Sequence, residues 1–187
     1  MSNPLASLVG AIGQIVDALE PSGLAYALGG AVAYSTWGEP RATRDIDLNL
    51  WVEPAQIEEG FRALELAGVA LDRERARQEA TDRGLFVGWH GEYRVDVFVP
   101  SIPFYAEALE RRVRVRLAGR DTWVLSAEVL AVFKMLFYRA KDLRDLERML
   151  QVQRQRLDVG FVREWLVTML GEDAEQVASW DRLVGGG

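Results

Sequence analysis

The sequence contains no cysteine, which excludes a disulfide framework and any metal site built from thiolates. It also lacks any apolar run near the ~20 residues that a membrane-spanning helix needs. The first stretch, MSNPLASLVGAIGQIVDALEPSG, has no basic leader and carries Asp17 and Glu20, so a secretory signal is not expected. These absences lead us to expect a cytoplasmic protein with no membrane segment.

Lysine is scarce, since only Lys134 and Lys141 stand among 22 cationic residues and all others are arginine. The net charge of −6 argues against a protein that coats nucleic acid without sequence preference. Both lysines fall within residues 126–150, where we predict two helices with a break near residues 139–141. Lys134 lies off the predicted apolar face of the first helix. Because a compact ammonium suits a triphosphate as a point charge, Lys134 is predicted to contact phosphate.

Two residues at the start of the second helix, Lys141 and Asp142, have two interpretations. Lys141 can pair with Asp145 four residues on, and Asp142 can complement the positive end of the helix dipole. Both can equally contribute to a nucleotide site beside Lys134. The sequence leaves these interpretations open.

The 187 residues are enough for one domain, or for a core with a helical appendage. Periodicity predicts an α/β (α+β) fold in which a mixed β-sheet core is flanked by helices, followed by a C-terminal helical region. We place the boundary so that residues 1–125 form the core with an N-terminal helix and residues 126–187 the helical region packed on it. Strands are predicted at 26–28, 45–51, 84–90, 93–99, 112–117 and 122–125, the last two joined by residues 118–121.

Acidic residues alternate with apolar ones in the strand predicted over residues 45–51. Asp45 and Asp47 fall on one face of this strand because its side-chain period is two. Two like charges so close are costly unless a cation lies between them, and Mg²⁺ takes carboxylate and phosphate oxygens as ligands. Asp96 is a third candidate if an adjacent antiparallel strand brings it alongside. Three such carboxylates are typical of a site that holds two metal ions for phosphoryl transfer.

A glycine pair, Gly29-Gly30, separates a short predicted strand from a predicted helix. Glycine at the start of a helix exposes backbone N–H groups to an anion and lets phosphate approach closely. Between this turn and the aspartates, Arg41, Thr43 and Arg44 are candidates for a nucleotide site. The arginines can bind phosphate oxygens or form ordinary surface ion pairs.

In combination, Gly29-Gly30, RATRDIDL and RVDVFV resemble the nucleotidyltransferase superfamily that shares the DNA polymerase β-like fold. The segment LSAEVLAVFKMLFYRAKDLRDLERML looks like the lysine-bearing segment of AbiEii-like toxins of type IV toxin–antitoxin systems. It is also similar to small stand-alone nucleotidyltransferases. The likeness covers about residues 24 to 150, and one departure is Gly30, where many members have serine.

The resemblance implies a role for each matched residue. Asp45, Asp47 and Asp96 would bind metal, with Asp96 also a candidate base, while Gly29 and Gly30 would hold the triphosphate. Lys134 would contact that triphosphate. The metal would be Mg²⁺, in a two-ion site, with Mn²⁺ as the alternative.

The implied reaction transfers a nucleoside monophosphate from a nucleoside triphosphate to an acceptor hydroxyl. The acceptor would be tRNA for a toxin, with an antitoxin protein as a further partner, or a small molecule such as an aminoglycoside or lincosamide antibiotic. A catalytically silent nucleotide-binding module is the non-enzymatic alternative. Arg112, Arg114 and Arg116 share one strand face and can follow an RNA backbone, or simply protect an edge strand from aggregation.

Overall fold

The computed structural model describes residues 4–117 and 119–186, with the backbone alone for residues 4–7 and 154. Parts of three predicted features therefore lie outside it: residues 1–3 of the core, Ala118 in the second hairpin turn, and Gly187. The helices within the described ranges are α1 (Pro4–Ser22), α2 (Gly30–Trp37), α3 (Ile57–Leu66), α4 (Arg73–Arg83), α5 (Phe104–Glu110), α6 (Ala127–Phe137), α7 (Ala140–Gln153), α8 (Val159–Leu170) and α9 (Glu175–Gly185). The strands are β1 (Ala25–Leu28), β2 (Asp45–Trp51), β3 (Leu85–His90), β4 (Tyr93–Phe98), β5 (Val113–Leu117) and β6 (Arg120–Val124).

The six strands form one mixed sheet in the order β3-β4-β2-β1-β6-β5. Strands β1 and β2 are antiparallel, whereas β2 runs parallel to β4 and β1 runs parallel to β6. The two remaining pairs, β3–β4 and β5–β6, are antiparallel hairpins. The predicted mixed sheet flanked by helices is confirmed, and the central strand β2 carries the polar face discussed below.

Helix α4 was not predicted from the sequence. Its residues RERARQEATDR are almost all polar, so the helix has no apolar stripe and periodicity gives no signal. The ends do carry signals, because Asp72 caps the N-terminus by accepting a hydrogen bond from the Arg75 amide. Gly84 ends the helix in the left-handed conformation at φ 65°. Capping residues thus mark a helix that hydrophobicity does not.

One continuous core of buried apolar residues reaches from Leu8 in α1 to Trp180 in α9. Helix α6 contacts α2, α7, α8 and α9, and thereby joins the last helices to the sheet region. The side chain of Ser126 caps α6 by accepting from the Val129 amide. The proposed division at residues 125 and 126 falls at this cap but stays a prediction. None of the described helices is long and apolar enough to cross a membrane.

Candidate active site

The turn between β1 and α2 is packed directly against Asp47. The Gly29 amide donates to the Asp47 carbonyl oxygen over 2.8 Å. Gly30 has φ +47°, and a Cβ atom there would lie 1.7 Å from the Asp47 carboxylate oxygen Oδ2. Glycine at position 30 is therefore required both by the left-handed backbone and by the side chain behind it.

The side chains on the polar face of β2 become less exposed to solvent along the strand. Asp45 is exposed, Asp47 is half-buried and Asn49 is buried, while the intervening Ile46 and Leu48 are inaccessible to solvent. This alternation follows from the period of the strand, as the sequence predicts. Asn49 lies on the same face and lines the cleft that opens over the carboxylates, although no role was predicted for it.

Asp96 lies directly beside Asp47, because β2 and β4 pair with Asp47 opposite Asp96. The predicted antiparallel neighbour is wrong, since β4 runs parallel to β2 and the hairpin partner of β4 is β3. Residues paired in register on neighbouring strands share a face of the sheet whichever way the strands run. The three carboxylates therefore come together as expected, by a different topology.

Burial, together with the crowding of like charges, raises the pKa of Asp47 and Asp96. Burial raises the pKa of Asp47, and the charges of Asp96 and Asp45 raise it further. Burial likewise raises the pKa of Asp96, against an opposing effect of Arg94. An Arg94 guanidinium nitrogen lies 2.9 Å from Asp96 Oδ1 without the direction of a hydrogen bond, so that buried oxygen has no hydrogen-bond partner among the described residues.

The donor set fits a hard divalent cation. Within the described residues, Asp45 and Asp47 have no cation within ion-pair distance, and Asp96 Oδ1 lacks a hydrogen bond. Their oxygens are the ligands that Mg²⁺ prefers, and no thiolate is present to favour a softer metal. The described side chains nevertheless do not close into a ready-made cluster of three or more metal ligands. An open arrangement of this kind suits a metal that shares its coordination sphere with phosphate and water.

A cleft of about 330 Å³ opens over the carboxylates. It brings together most of the predicted site residues with several that were not predicted. Arg44 is absent from the lining and is exposed, because its extended neighbours Thr43 and Asp45 turn towards the cleft. The predicted residues that line it are Gly29, Gly30, Arg41, Thr43, Asp45, Asp47, Asp96, Lys134, Lys141 and Asp142.

The segment before β2 is held at the cleft by two contacts. The Thr43 hydroxyl donates to the Asp45 carbonyl oxygen over 3.2 Å and accepts from the Asp45 amide over 3.1 Å. Arg41 reaches across to α7, where its guanidinium lies 3.3 Å from Asp145 Oδ2. The segment is thereby tied both to the strand and to the C-terminal helices.

Lys134 is buried, with 4% of its surface exposed. Its ammonium donates to Asp145 over 2.6 Å and to Asp142 over 3.3 Å. The side of α6 that carries Lys134, off the predicted apolar face, is covered as well, because α6 packs against α2, α7, α8 and α9. Lys134 therefore holds α6 against α7 from within.

Asp142 is also committed to this network, with only 1% of its surface exposed. Burial opposes its ionisation, but the hydrogen bond from Arg139 and the charge of Lys134 lower the pKa of Asp142. The Arg139 Nε atom lies 2.6 Å from Asp142 Oδ2. Arg139 lines the cleft, a position that the sequence marked only as a break between helices.

Lys141 differs from Lys134 in its ion pairing. The predicted pairing of Lys141 with Asp145 is not formed, since Asp145 instead contacts Lys134 and Arg41. Among the described residues Lys141 makes no ion pair, and its charge opposes the rise in the pKa of Asp47 and of Asp96. Lys141 is thus the lysine that faces the carboxylates with its ammonium uncommitted.

Several solved structures are similar to this chain in fold. No protein-family model matches the sequence, and no curated protein matches it significantly. The solution structure of the antibiotic-resistance factor ANT(2'')-Ia is similar at TM-score 0.54 and 18% identity, covering 97% of this chain and 91% of that chain. A crystal structure of ANT(2'')-Ia with adenylyl-2''-tobramycin gives TM-score 0.53 and 17% identity, covering 96% and 98%. A Helicobacter pylori chain provisionally described as a nucleotidyltransferase gives TM-score 0.52 and 13% identity, covering 99% and 93%.

These similarities span nearly the whole of each chain, including the helices after residue 126. At such low identity they establish the fold, and the predicted nucleotidyltransferase fold is confirmed. The narrower resemblance to AbiEii-like toxins stays a prediction.

Proposed function

We propose that this chain is a metal-dependent nucleotidyltransferase that transfers a nucleoside monophosphate from a nucleoside triphosphate to an acceptor hydroxyl. The observation that supports it best is the placement of Asp45, Asp47 and Asp96 on one face of adjoining strands, against the turn at Gly29-Gly30. The shared fold agrees with this reaction class.

The three carboxylates would hold Mg²⁺, or Mn²⁺ as the alternative, in a two-ion site. When bound, the metal would neutralise charge on the phosphates during an in-line displacement. Burial raises the pKa of Asp47, and repulsion from Asp96 and Asp45 raises it further; relief of that repulsion is the physical reason for such an affinity. A carboxylate binds a metal in its ionised form, and a bound cation would favour that form.

Asp96 is the proposed base. The acceptor O–H would give its proton to the Asp96 carboxylate as the acceptor oxygen bonds to the α-phosphorus. The bond from that phosphorus to the β-phosphate oxygen would break, and pyrophosphate would leave. Burial raises the pKa of Asp96, which makes its carboxylate a better proton acceptor than an exposed one.

Phosphate would be bound by the start of α2 and by Lys141. The Gly29 amide is already used by Asp47, so the free donors of the first helical turn begin at Gly30. Lys141 supplies an uncommitted ammonium at the cleft. Lys134 and Asp142, predicted as direct contacts, are proposed instead to position α7 and with it Lys141, because their charged groups already bind each other.

The charges at the cleft bear on the acceptor. Asp96 and Asp142 are paired with arginine or lysine, and the two carboxylates without an ion pair in the described lining, Asp45 and Asp47, are with Asp96 those proposed for metal. No carboxylate of that described lining is then left to recognise an amine, which disfavours a polycationic aminoglycoside acceptor despite the likeness to ANT(2'')-Ia. A small-molecule acceptor of another kind, such as a lincosamide, stays a candidate.

A tRNA acceptor, and with it an antitoxin partner, also stays a candidate. The row of arginines in and just before β5 does not add support for an RNA acceptor. Arg114 lies 3.4 Å from Glu20 and Arg116 lies 3.1 Å from Asp121, while Arg112 lies over the Trp123 ring. These arginines are engaged by neighbours, as expected for a protected edge strand.

The test is incubation with each α-labelled nucleoside triphosphate, Mg²⁺ and either total tRNA or a panel of small-molecule alcohols. Label should appear in one acceptor class and be lost in Asp45→Asn. Asp121→Asn is the matched control, since Asp121 is an exposed strand carboxylate away from the cleft. Equal transfer by Asp45→Asn and the control would refute the metal assignment, and Mg²⁺-independent transfer would refute the reaction as proposed.

A further inference from the structure

Phe137 is an unusual surface residue. It is the last residue of α6, lines the cleft, and leaves 48% of its surface exposed. The rest of α6 is buried from Ala127 to Met135, apart from partly exposed Glu128. An exposed aromatic ring at the edge of a charged cleft offers apolar surface to whatever enters that cleft.

The backbone turns sharply at Tyr138, directly after Phe137, and this turn is fixed by contacts to α9. Tyr138 adopts φ 52°, and it is the one residue other than glycine with a positive φ in the described part of the chain. Such a conformation is costly and is retained where surrounding contacts enforce it. Here the Tyr138 hydroxyl hydrogen-bonds Ser179 at 2.5 Å and donates to Glu175 over 3.2 Å, so α9 holds the corner.

Two neighbours flank the Phe137 ring, and the Phe98 ring is tilted by 58° against it. The Phe98 ring centroid lies 5.9 Å from that of Phe137, and the Arg139 guanidinium carbon lies 4.9 Å from the Phe137 centroid. Arg139 is itself anchored on Asp142. Aromatic faces and a fixed guanidinium are the groups on which planar heteroaromatic rings stack.

The distance between Phe98 and Asp96 also suits a nucleotide whose phosphate lies near Asp96. Phe98 follows Asp96 by two residues on the same face of β4, a spacing of roughly 6.6 Å along a strand. A ring bound at Phe98 and Phe137 would therefore sit one sugar away from a phosphate held near Asp96. Lys141 lines the same cleft.

We propose that Phe137, with Phe98 and Arg139, forms a platform that binds a nucleobase. The base belongs either to the nucleoside triphosphate or to a nucleic-acid acceptor, and the chemistry of recognition is the same. This inference rests on the proposed nucleotidyltransferase function and adds the residues that recognise the base.

The experiment compares calorimetric binding of Mg²⁺–ATP, Mg²⁺–tripolyphosphate and a short oligoribonucleotide to the full chain. Tripolyphosphate carries the phosphates without a base. Phe137→Ala should weaken binding of the base-bearing ligand about 10- to 100-fold and leave tripolyphosphate unchanged. Phe137→Trp should restore affinity. Leu170→Ala, at the end of α8 with 38% exposure, is the matched control for loss of an exposed apolar residue.

The two sources of the base give different results. Loss confined to ATP assigns the platform to the nucleotide, and loss confined to the oligoribonucleotide assigns it to the acceptor. Unchanged binding of both to Phe137→Ala would overturn the platform while leaving the proposed function intact. Failure of the wild-type chain to bind either ATP or tripolyphosphate would refute the proposed function itself.

Discussion

Replacing Gly30 by alanine tests how tightly the glycine turn and the carboxylate face of β2 depend on each other. The left-handed backbone at φ +47° alone costs a residue with a Cβ about 1–2 kcal/mol. The new Cβ would also lie 1.7 Å from Asp47 Oδ2 and 2.3 Å from Asp47 Cγ, so the carboxylate or the turn must move. Overpacking of this kind adds about 1–3 kcal/mol. We expect a total loss of about 2–5 kcal/mol in the free energy of unfolding, with nucleotide transfer abolished because Asp47 is displaced.

The measurement is urea denaturation of Gly30→Ala beside Gly91→Ala. Gly91 has φ +61°, and a Cβ added there would meet no other atom within 4 Å, so this variant reports the backbone cost alone. The double variant Gly30→Ala/Asp47→Ala should recover part of the loss, because removing the Asp47 carboxyl relieves most of the overlap. Equal destabilisation by Gly30→Ala and Gly91→Ala, with no recovery in the double variant, would refute the packing argument.

Three further outcomes are expected. Lys134→Met leaves the buried Asp145 and Asp142 short of a cation and should destabilise the chain by about 3–5 kcal/mol in urea denaturation. Lys141→Met should leave stability within about 0.5 kcal/mol but weaken tripolyphosphate binding, and the reverse result for the two lysines would contradict their assigned roles. Asp47→Asn should raise the melting temperature at pH 7 in EDTA and leave it unchanged at pH 3. Because burial raises the pKa of folded Asp47 above its ordinary 3.8, the wild-type chain loses stability as pH rises through that range. A wild-type chain as stable as the variant at pH 7 would show that Asp47 carries no such strain.

The sheet face that carries the carboxylates was predictable, because a strand period of two is a local property of the sequence. Asp45 and Asp47 share a face wherever the strand lies. The placement of Asp96 required a partner strand, and its direction depends on long-range topology that local pattern does not encode. The antiparallel expectation failed for that reason, although register still brought the carboxylates together.

The roles of the two lysines could not be separated from the sequence. Composition singles out Lys134 and Lys141 equally, and α6 has a clear apolar face from which Lys134 departs. Only the packing of α6 against four other helices shows that its polar side is buried too. Asp145 contacts both Lys134 and Arg41. Because Arg41 is distant from Asp145 in sequence, this contact forms only in the folded chain.

Transfer of a nucleoside monophosphate separates the two ends of the triphosphate, so the fate of each end distinguishes this reaction from phosphoryl transfer or hydrolysis. The chain is incubated with α-labelled and, separately, γ-labelled nucleoside triphosphate, Mg²⁺ and whichever of the two acceptor classes, tRNA or small-molecule alcohols, takes up α-label. We expect α-label in the acceptor, γ-label in pyrophosphate, and neither product with Asp96→Asn. Recovery of γ-label in the acceptor, or of free phosphate without pyrophosphate, would contradict this reaction.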